Sequence, residues 1–156
     1  MKTIRTIILG LMLGGYGLAW SGFDEGLAAY EAGDYATALL EFRPLAEQGN
    51  AAAQYNLGLM YFMGQGIPQD YKEAVKWFRK AAEQDYVRAQ FNLGSMYGNG
   101  LGVTQDYVQA HKWFNIAGAN GNEQGTKIRD IIAQLMTPAQ IAEAQKLARE
   151  WMEKHQ

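Results

Sequence analysis

Apolar residues recur at helical spacing in two successive segments near the middle of the chain. Steps of three and four residues place each set on one face of a helix. The two sets are Ala53, Leu57, Met60 and Tyr61, followed by Ala74, Trp77, Phe78 and Ala81. The stretch between them, GQGIPQD, contains glycines that can adopt positive φ and therefore suits a turn. The pattern predicts two helices joined by a short loop.

This pattern is repeated further along the chain. The stretch YNLGLMYFMGQGIPQDYKEAVKWFRKAAEQ begins at Tyr55, and FNLGSMYGNGLGVTQDYVQAHKWFNIAGAN begins 36 residues later at Phe91. A degenerate copy precedes both, and its matching positions are Asp34, Tyr35, Ala38, Phe42 and Ala46. A single short helix pair cannot bury its apolar face, whereas several stacked pairs can. The repeat therefore predicts an all-α fold, an α-solenoid of helix pairs.

Helix-start signals recur with the repeat. Asp70 and Asp106 stand where the second helix of each copy would begin, and Glu73 and Gln109 follow three residues later. This spacing predicts a capping box at both positions. A Thr-Pro-x-Gln start at Thr137 precedes a last amphipathic stretch, which predicts a C-terminal capping helix.

The repeated motif AQYNLGLMYFMGQGIPQDYKEAVKWFRKAAEQ resembles the Sel1-like repeat (SLR), a relative of the tetratricopeptide repeat. The resemblance implies a right-handed superhelix of antiparallel helix pairs and a role in protein–protein interaction, often as an adaptor in bacterial envelopes or secretion. Some exported relatives carry a disulfide in each repeat, and β-lactam or peptidoglycan binding is attributed to that subgroup. This chain departs from the subgroup because it contains no cysteine.

The chain divides into five expected parts. They are a signal peptide at 1–21, a degenerate tetratricopeptide-like pair at 22–50, repeats at 51–86 and 87–121, and C-terminal capping helices at 122–156.

The first part has the three regions of a secretory signal peptide. Lys2 and Arg5 precede a short apolar run, and Ala19 and Ser21 supply small residues for cleavage. We expect cleavage after Ser21 and a periplasmic or secreted protein without a stable membrane span. The alternative is an uncleaved membrane anchor, for which the apolar run is short.

Charge and cysteine content narrow the classes of partner. Removal of residues 1–21 leaves 12 basic and 16 acidic residues, a net charge of −4. An acidic chain without a basic tract argues against nucleic acid as a partner. The absence of cysteine excludes disulfides and thiol chemistry.

The sequence offers little for catalysis. His111 and His155 are the only histidines and lack metal-ligand spacing, and His111 is expected to be a partly exposed surface residue. The stretch GNGLG lacks the Gly-Lys-Ser/Thr ending of a phosphate loop. Asp70 and Asp106 could form a carboxylate pair, but each is expected to cap a helix. We therefore predict no enzyme activity, no catalytic residue, no cofactor and no metal.

One stretch of the chain is rich in basic residues at helical spacing. The charged positions Lys72, Lys76, Arg79 and Lys80 are interpreted as a solvated helix face.

The partner-binding residues follow from the resemblance, because the first helix of each tetratricopeptide pair lines the concave side. The candidates on this side are Tyr55, Asn56, Leu59, Phe62, Arg88, Phe91, Asn92, Ser95 and Asn99. Tyr55 and Phe91 could instead pack between repeats. Asn56 and Asn92 could hold a peptide backbone or satisfy a buried loop.

The sequence thus favours an exported interaction module or adaptor that binds a protein or peptide on its concave face. A cell-wall-ligand binder or hydrolase using the same groove is the alternative. A scaffold that acts only inside a larger assembly is a third possibility.

Overall fold

The structure, a computed structural model, describes the backbone of residues 15–155 and the side chains of residues 22–155. The described part is all-α, with eight helices and no strand. They are α1 (Gly15–Glu31), α2 (Tyr35–Glu47), α3 (Ala51–Met63), α4 (Tyr71–Ala82), α5 (Val87–Asn99), α6 (Tyr107–Ala119), α7 (Glu123–Ala133) and α8 (Pro138–Lys154). The predicted fold class is confirmed.

Successive helices pack against one another from α1 to α7, and α8 packs on α6. The pairs α1–α2, α3–α4 and α5–α6 form the solenoid. No helix of the described part is both long and apolar enough to cross a membrane. Most of the predicted signal peptide, residues 1–14, lies outside the described residues.

The glycine-containing loops dock each pair onto the preceding one. Gly66 adopts a positive φ of 71°, and a β-carbon there would lie 2.8 Å from the carbonyl oxygen of Tyr35. Gly102 has φ 70° and meets the Tyr71 backbone in the same way, one repeat later. Only glycine fits both this conformation and this close approach. The loops therefore contribute to stacking as well as to connection.

The capping boxes predicted at Asp70 and Asp106 do not form. Asp70 accepts hydrogen bonds from the backbone N–H of Lys72 and Glu73, as an N-cap does. However, its own N–H donates to the Tyr61 carbonyl oxygen at 3.0 Å and is therefore not available to donate to the Glu73 carboxylate, which would be the second bond of the box. Glu73 instead pairs with Lys76 at 3.1 Å.

The same arrangement recurs at Asp106, whose side chain accepts from the Gln109 N–H while its own N–H donates to the Tyr97 carbonyl oxygen. A complete capping box is present at Thr137 and Gln140, as predicted for α8.

The two repeats bury equivalent aromatic residues on equivalent glycines. The Phe78 ring lies on Gly58, where a β-carbon would stand 2.7 Å from it, and the Phe114 ring lies on Gly94 at 3.1 Å. Both phenylalanines are fully buried. The missing side chains allow the two helices of each pair to approach closely, and each ring fills the space between them.

Buried glutamines tie the repeats together. Gln54 donates from its side-chain amide to the Ala46 carbonyl oxygen at 3.1 Å and accepts from the Gln84 amide at 2.8 Å. Gln90 makes the corresponding bonds one repeat later. Each glutamine amide adds a second hydrogen bond to a carbonyl at the end of the preceding helix, which also accepts a backbone N–H from the following turn.

His111 is buried, contrary to the expectation of partial exposure. Its exposed fraction is 3%, and its Nδ1 atom has no hydrogen-bond partner. The cause is α7, which packs on α6 and brings Arg129 and Asp130 near the imidazole. Burial, reinforced by the Arg129 cation and opposed by Asp130, lowers the pKa of His111 below its usual value.

Candidate functional site

A cleft lies between the first helices of the two repeats. Its volume is about 270 Å³. It is lined by Tyr55, Leu59, Phe62 and Met63 of α3, Phe78 of α4, and Asn92, Ser95 and Met96 of α5. We call this surface the interhelix cleft. Its lining is mainly apolar, with two small polar side chains on the α5 side.

The α3 side of the cleft follows from the composition of that helix. Residues 51–63 contain no charged side chain. Leu59 and Phe62 are half-buried, and Met63 is 56% exposed. A helix that is apolar on several faces is normally buried, yet part of α3 faces solvent. This unusual exposure marks the cleft as a surface suited to an apolar partner.

Aromatic contacts hold the cleft in shape. The Tyr55 ring centroid lies 5.9 Å from that of Phe78 and 5.1 Å from that of Tyr86. The Phe62 centroid lies 5.4 Å from that of Tyr71, at the other end. Because Phe78 is fixed on Gly58, the lining side chains rest on a rigid base.

The electrostatics of the cleft centre on the Tyr55 hydroxyl. Burial raises the pKa of Tyr55, and the Arg88 guanidinium and the Asn92 amide oppose this shift while Tyr86 adds to it. The hydroxyl is therefore neutral at physiological pH, beside an amide and a nearby cation. These groups can hydrogen-bond to a peptide backbone or to a polar side chain.

Of the nine candidate residues, the structure places five together in the cleft. They are Tyr55, Leu59, Phe62, Asn92 and Ser95. The other four do not line it. Asn56 donates to the Ala52 carbonyl oxygen at 2.9 Å, and Asn99 donates to the Ser95 carbonyl oxygen at 2.9 Å.

Phe91 packs at 5.4 Å on Phe114, in a cluster that includes Ile128 of α7. Arg88 is exposed, near the Tyr55 end of the cleft. Phe91 is the counterpart of Tyr55 one repeat later. Because α7 covers Phe91, the aromatic lining at Tyr55 is not continued in the second repeat.

Three lining residues escaped sequence reasoning. Phe78 lies on an apolar helix face predicted from its spacing, and Met96 is the counterpart of Met60 one repeat later. Both are buried, but each also presents an edge to the cleft. Met63 follows Tyr55 and Leu59 at successive steps of four residues. That helical spacing could have identified Met63.

The lining residues contain no histidine, carboxylate or lysine. They offer apolar contact area and a few hydrogen-bonding groups, which is the composition of a docking surface rather than of an acid–base pair. In the described part of the chain, no group of three or more His, Asp or Glu side chains could hold a metal ion.

Comparison with known proteins agrees with this architecture. The Sel1 repeat family model matches residues 51–86 and 87–122. The sequence matches none of the curated proteins with which it was compared.

Two solved structures share the fold. One is a protective antigen present in uropathogenic Escherichia coli strains, which displays an SLR fold; the identity is 38%, the TM-score 0.84, and 87% of this chain is covered. This chain spans 30% of the length of that antigen. The other is a Sel1 repeat protein from Oxalobacter formigenes, with 34% identity, a TM-score of 0.66, and coverage of 73% of this chain and 89% of that one.

These similarities extend over the repeats and their flanking helices. The chain therefore belongs to the Sel1 repeat family, whose members generally mediate protein–protein interaction and serve as non-catalytic scaffolds.

Proposed function

We propose that the protein is an exported interaction module that docks a protein or peptide in the interhelix cleft. The observation that supports this most is α3, which carries no charged residue and leaves Leu59, Phe62 and Met63 partly open to solvent. Exposed apolar side chains grouped in this way are typical of interaction sites.

The partner would place an apolar side chain between α3 and α5. Leu59 and Met96 would contact it, and Tyr55 would pack beside it. Asn92 and Ser95 would hydrogen-bond to the partner's backbone and set its orientation. The rigid base beneath the cleft would limit the entropy lost on binding.

The proposed export rests on the signal-peptide pattern of residues 1–21. Cleavage after Ser21 would leave Gly22 as the first residue and would remove the part of α1 that begins at Gly15. Mass spectrometry of the secreted or periplasmic fraction should find an N-terminus at Gly22. Intact Met1 in a membrane pellet would contradict export as a soluble protein.

Photo-crosslinking tests the docking surface directly. A photoreactive amino acid replaces Met63, at the rim of the cleft, and in a second protein it replaces Lys72, which is exposed on α4 and does not line the cleft. We expect a discrete crosslinked species in cells from the Met63 position only. Ser95→Trp, which would fill the cleft, should abolish it. Crosslinks of equal yield from both positions would reject the cleft as the docking site.

A further inference from the structure

A second pocket lies on the other helix of the first repeat and shares no residue with the interhelix cleft. It has a volume of about 480 Å³ and is open to solvent. It is lined by Gln54, Lys76, Arg79, Lys80, Glu83 and Gln84. We call it the α4 pocket. Three cations converge there in a chain whose net charge is −2.

Two of the cations have no carboxylate partner. Lys76 pairs with Glu73 at 3.1 Å, but neither Arg79 nor Lys80 has a carboxylate oxygen within 4 Å among residues 22–155. Arg79 donates to the neutral Tyr97 hydroxyl at 2.7 Å. Lys80 places its ammonium 4.7 Å from the centre of the Trp77 ring.

Glu83 also lines the pocket, but α8 engages its carboxylate. The Trp151 indole N–H donates to Glu83 at 3.1 Å, and the His155 Nε2 atom lies 3.6 Å from it. The pocket is thus lined by three cations and one carboxylate, and that carboxylate makes no ion pair with Arg79 or Lys80.

The second repeat shows that the fold does not require these cations. At the positions 36 residues later, Asn115 replaces Arg79 and Ile116 replaces Lys80. Ile116 is fully buried in the cluster that contains Trp151 of α8. The surface that the capping helix covers in one repeat is therefore left open and cationic in the other.

The tryptophan beneath these lysines also differs between the repeats. Trp113 carries one lysine, Lys112, at 4.7 Å and is covered by Trp151 at a centroid distance of 5.6 Å. The equivalent Trp77 carries two lysines, Lys76 at 5.6 Å and Lys80 at 4.7 Å. Two ammonium groups on one indole keep positive charge close to the protein surface. Such a concentration of positive charge is suited to an anion that carries more than one negative charge.

We propose that the α4 pocket binds a phosphate monoester through Arg79 and Lys80. A guanidinium fork and an ammonium point charge complement the several oxygens and the near-double negative charge of this group. A carboxylate would neutralise only one of the two cations. The same chemistry could come from a free phosphomonoester or from a lipid headgroup.

The test is an NMR titration of the full chain at constant ionic strength. Glycerol 3-phosphate represents the free ligand, and phosphatidylcholine vesicles with and without phosphatidic acid represent the lipid source. We expect saturable shifts of the Arg79, Lys80 and Gln84 amide signals with the phosphomonoester, and binding at least about tenfold weaker for acetate. Vesicle binding that requires phosphatidic acid would assign the ligand to the membrane, and its absence would assign a free one.

The decisive variant is Arg79→Asn with Lys80→Ile, which installs the residues of the second repeat at equivalent positions. It should weaken binding by about tenfold or more. Lys72→Ala with Lys146→Ala removes the same number of charges outside the pocket and should leave binding unchanged. Equal weakening by both variants, no saturable binding to either source, or equal affinity for acetate would overturn the proposal.

Discussion

The rings of Trp113 and Trp151 meet edge to face, with centroids 5.6 Å apart. Trp113 belongs to the second repeat, and Trp151 belongs to α8, so this contact closes the end of the stack. Trp151 also donates its indole N–H to Glu83 at 3.1 Å, which links α8 to the end of α4. The capping helix is therefore tied to both repeats.

Trp151→Ala should weaken the packing of the capping helix α8 on the repeats. Trp151 is 7% exposed, and truncation of a buried tryptophan costs about 3–5 kcal/mol. Urea unfolding followed by circular dichroism measures the loss. Glu153→Ala, at an exposed position on the same helix, should change stability by no more than about 0.5 kcal/mol. Similar stability of the Trp151 variant and the wild type would show that α8 does not support the repeats.

Gln90→Leu tests the buried amides that join successive pairs. Gln90 is fully buried, donates to the Ala82 carbonyl oxygen at 3.3 Å, and accepts from the Asn120 amide at 3.1 Å. Leucine removes both side-chain hydrogen bonds, and each bond typically contributes about 0.5–1.5 kcal/mol, so we expect a loss of about 1–3 kcal/mol in the free energy of unfolding. Gln48→Leu, at an exposed position, is the control. Unchanged stability in Gln90→Leu would mean that these bonds contribute nothing.

Gly58→Ala and Gly94→Ala make a matched pair. An added β-carbon meets Phe78 at 2.7 Å in the first case and Phe114 at 3.1 Å in the second. Overpacking costs about 1–3 kcal/mol, while alanine gains about 1 kcal/mol in helix propensity. Gly58→Ala should therefore lower the melting temperature more than Gly94→Ala. The reverse order would contradict the packing described for the two repeats.

His111 predicts a dependence of stability on pH. Its folded pKa is depressed by burial and by Arg129, so His111 is neutral in both the folded and the unfolded chain well above about pH 6.5, and its full contribution to stability is present there. As the pH falls below about 6.5, the unfolded chain takes up the proton first and stability declines. Between pH 7.5 and 5.5 the loss should reach at most about 1.4 kcal/mol.

The matched measurement compares urea unfolding of the wild type and of His111→Gln at those two pH values. The variant should lack the loss of stability at low pH that is attributed to His111, whatever its absolute stability. The other histidine, His155, is present in both proteins, so its contribution cancels in the comparison. An identical pH dependence in the two proteins would show that His111 protonates equally in the folded and unfolded states.

The fold could be predicted from the sequence because the repeat supplies two aligned copies of each packing position. Trp77 lies on one of the predicted apolar faces, and both Trp77 and Trp113, its counterpart 36 residues later, are buried. His111 was misjudged because α7, outside the aligned copies, covers that face of α6. The capping boxes failed because the loop directs each aspartate N–H to a carbonyl of the preceding helix.

The candidate site was less accessible to sequence reasoning. Helical spacing identifies which α3 side chains share a face, but it does not show which of them a neighbouring helix covers. Phe91 illustrates the difference, since it repeats Tyr55 in sequence but lies in the cluster with Ile128. The α4 pocket could not be predicted either. The sequence does not show that Arg79 and Lys80 lack carboxylate partners, because this depends on the three-dimensional arrangement.

The affinity of the partner captured by crosslinking at Met63 tests the central claim most directly. Ser95→Trp should fill the interhelix cleft and raise the dissociation constant by about tenfold or more, a cost of about 1.4 kcal/mol, while the helical circular dichroism signal is kept. Ala142→Trp places the same side chain on an exposed position of α8, away from the cleft, and should bind like the wild type. An unchanged dissociation constant for a folded Ser95→Trp protein would contradict docking in the cleft.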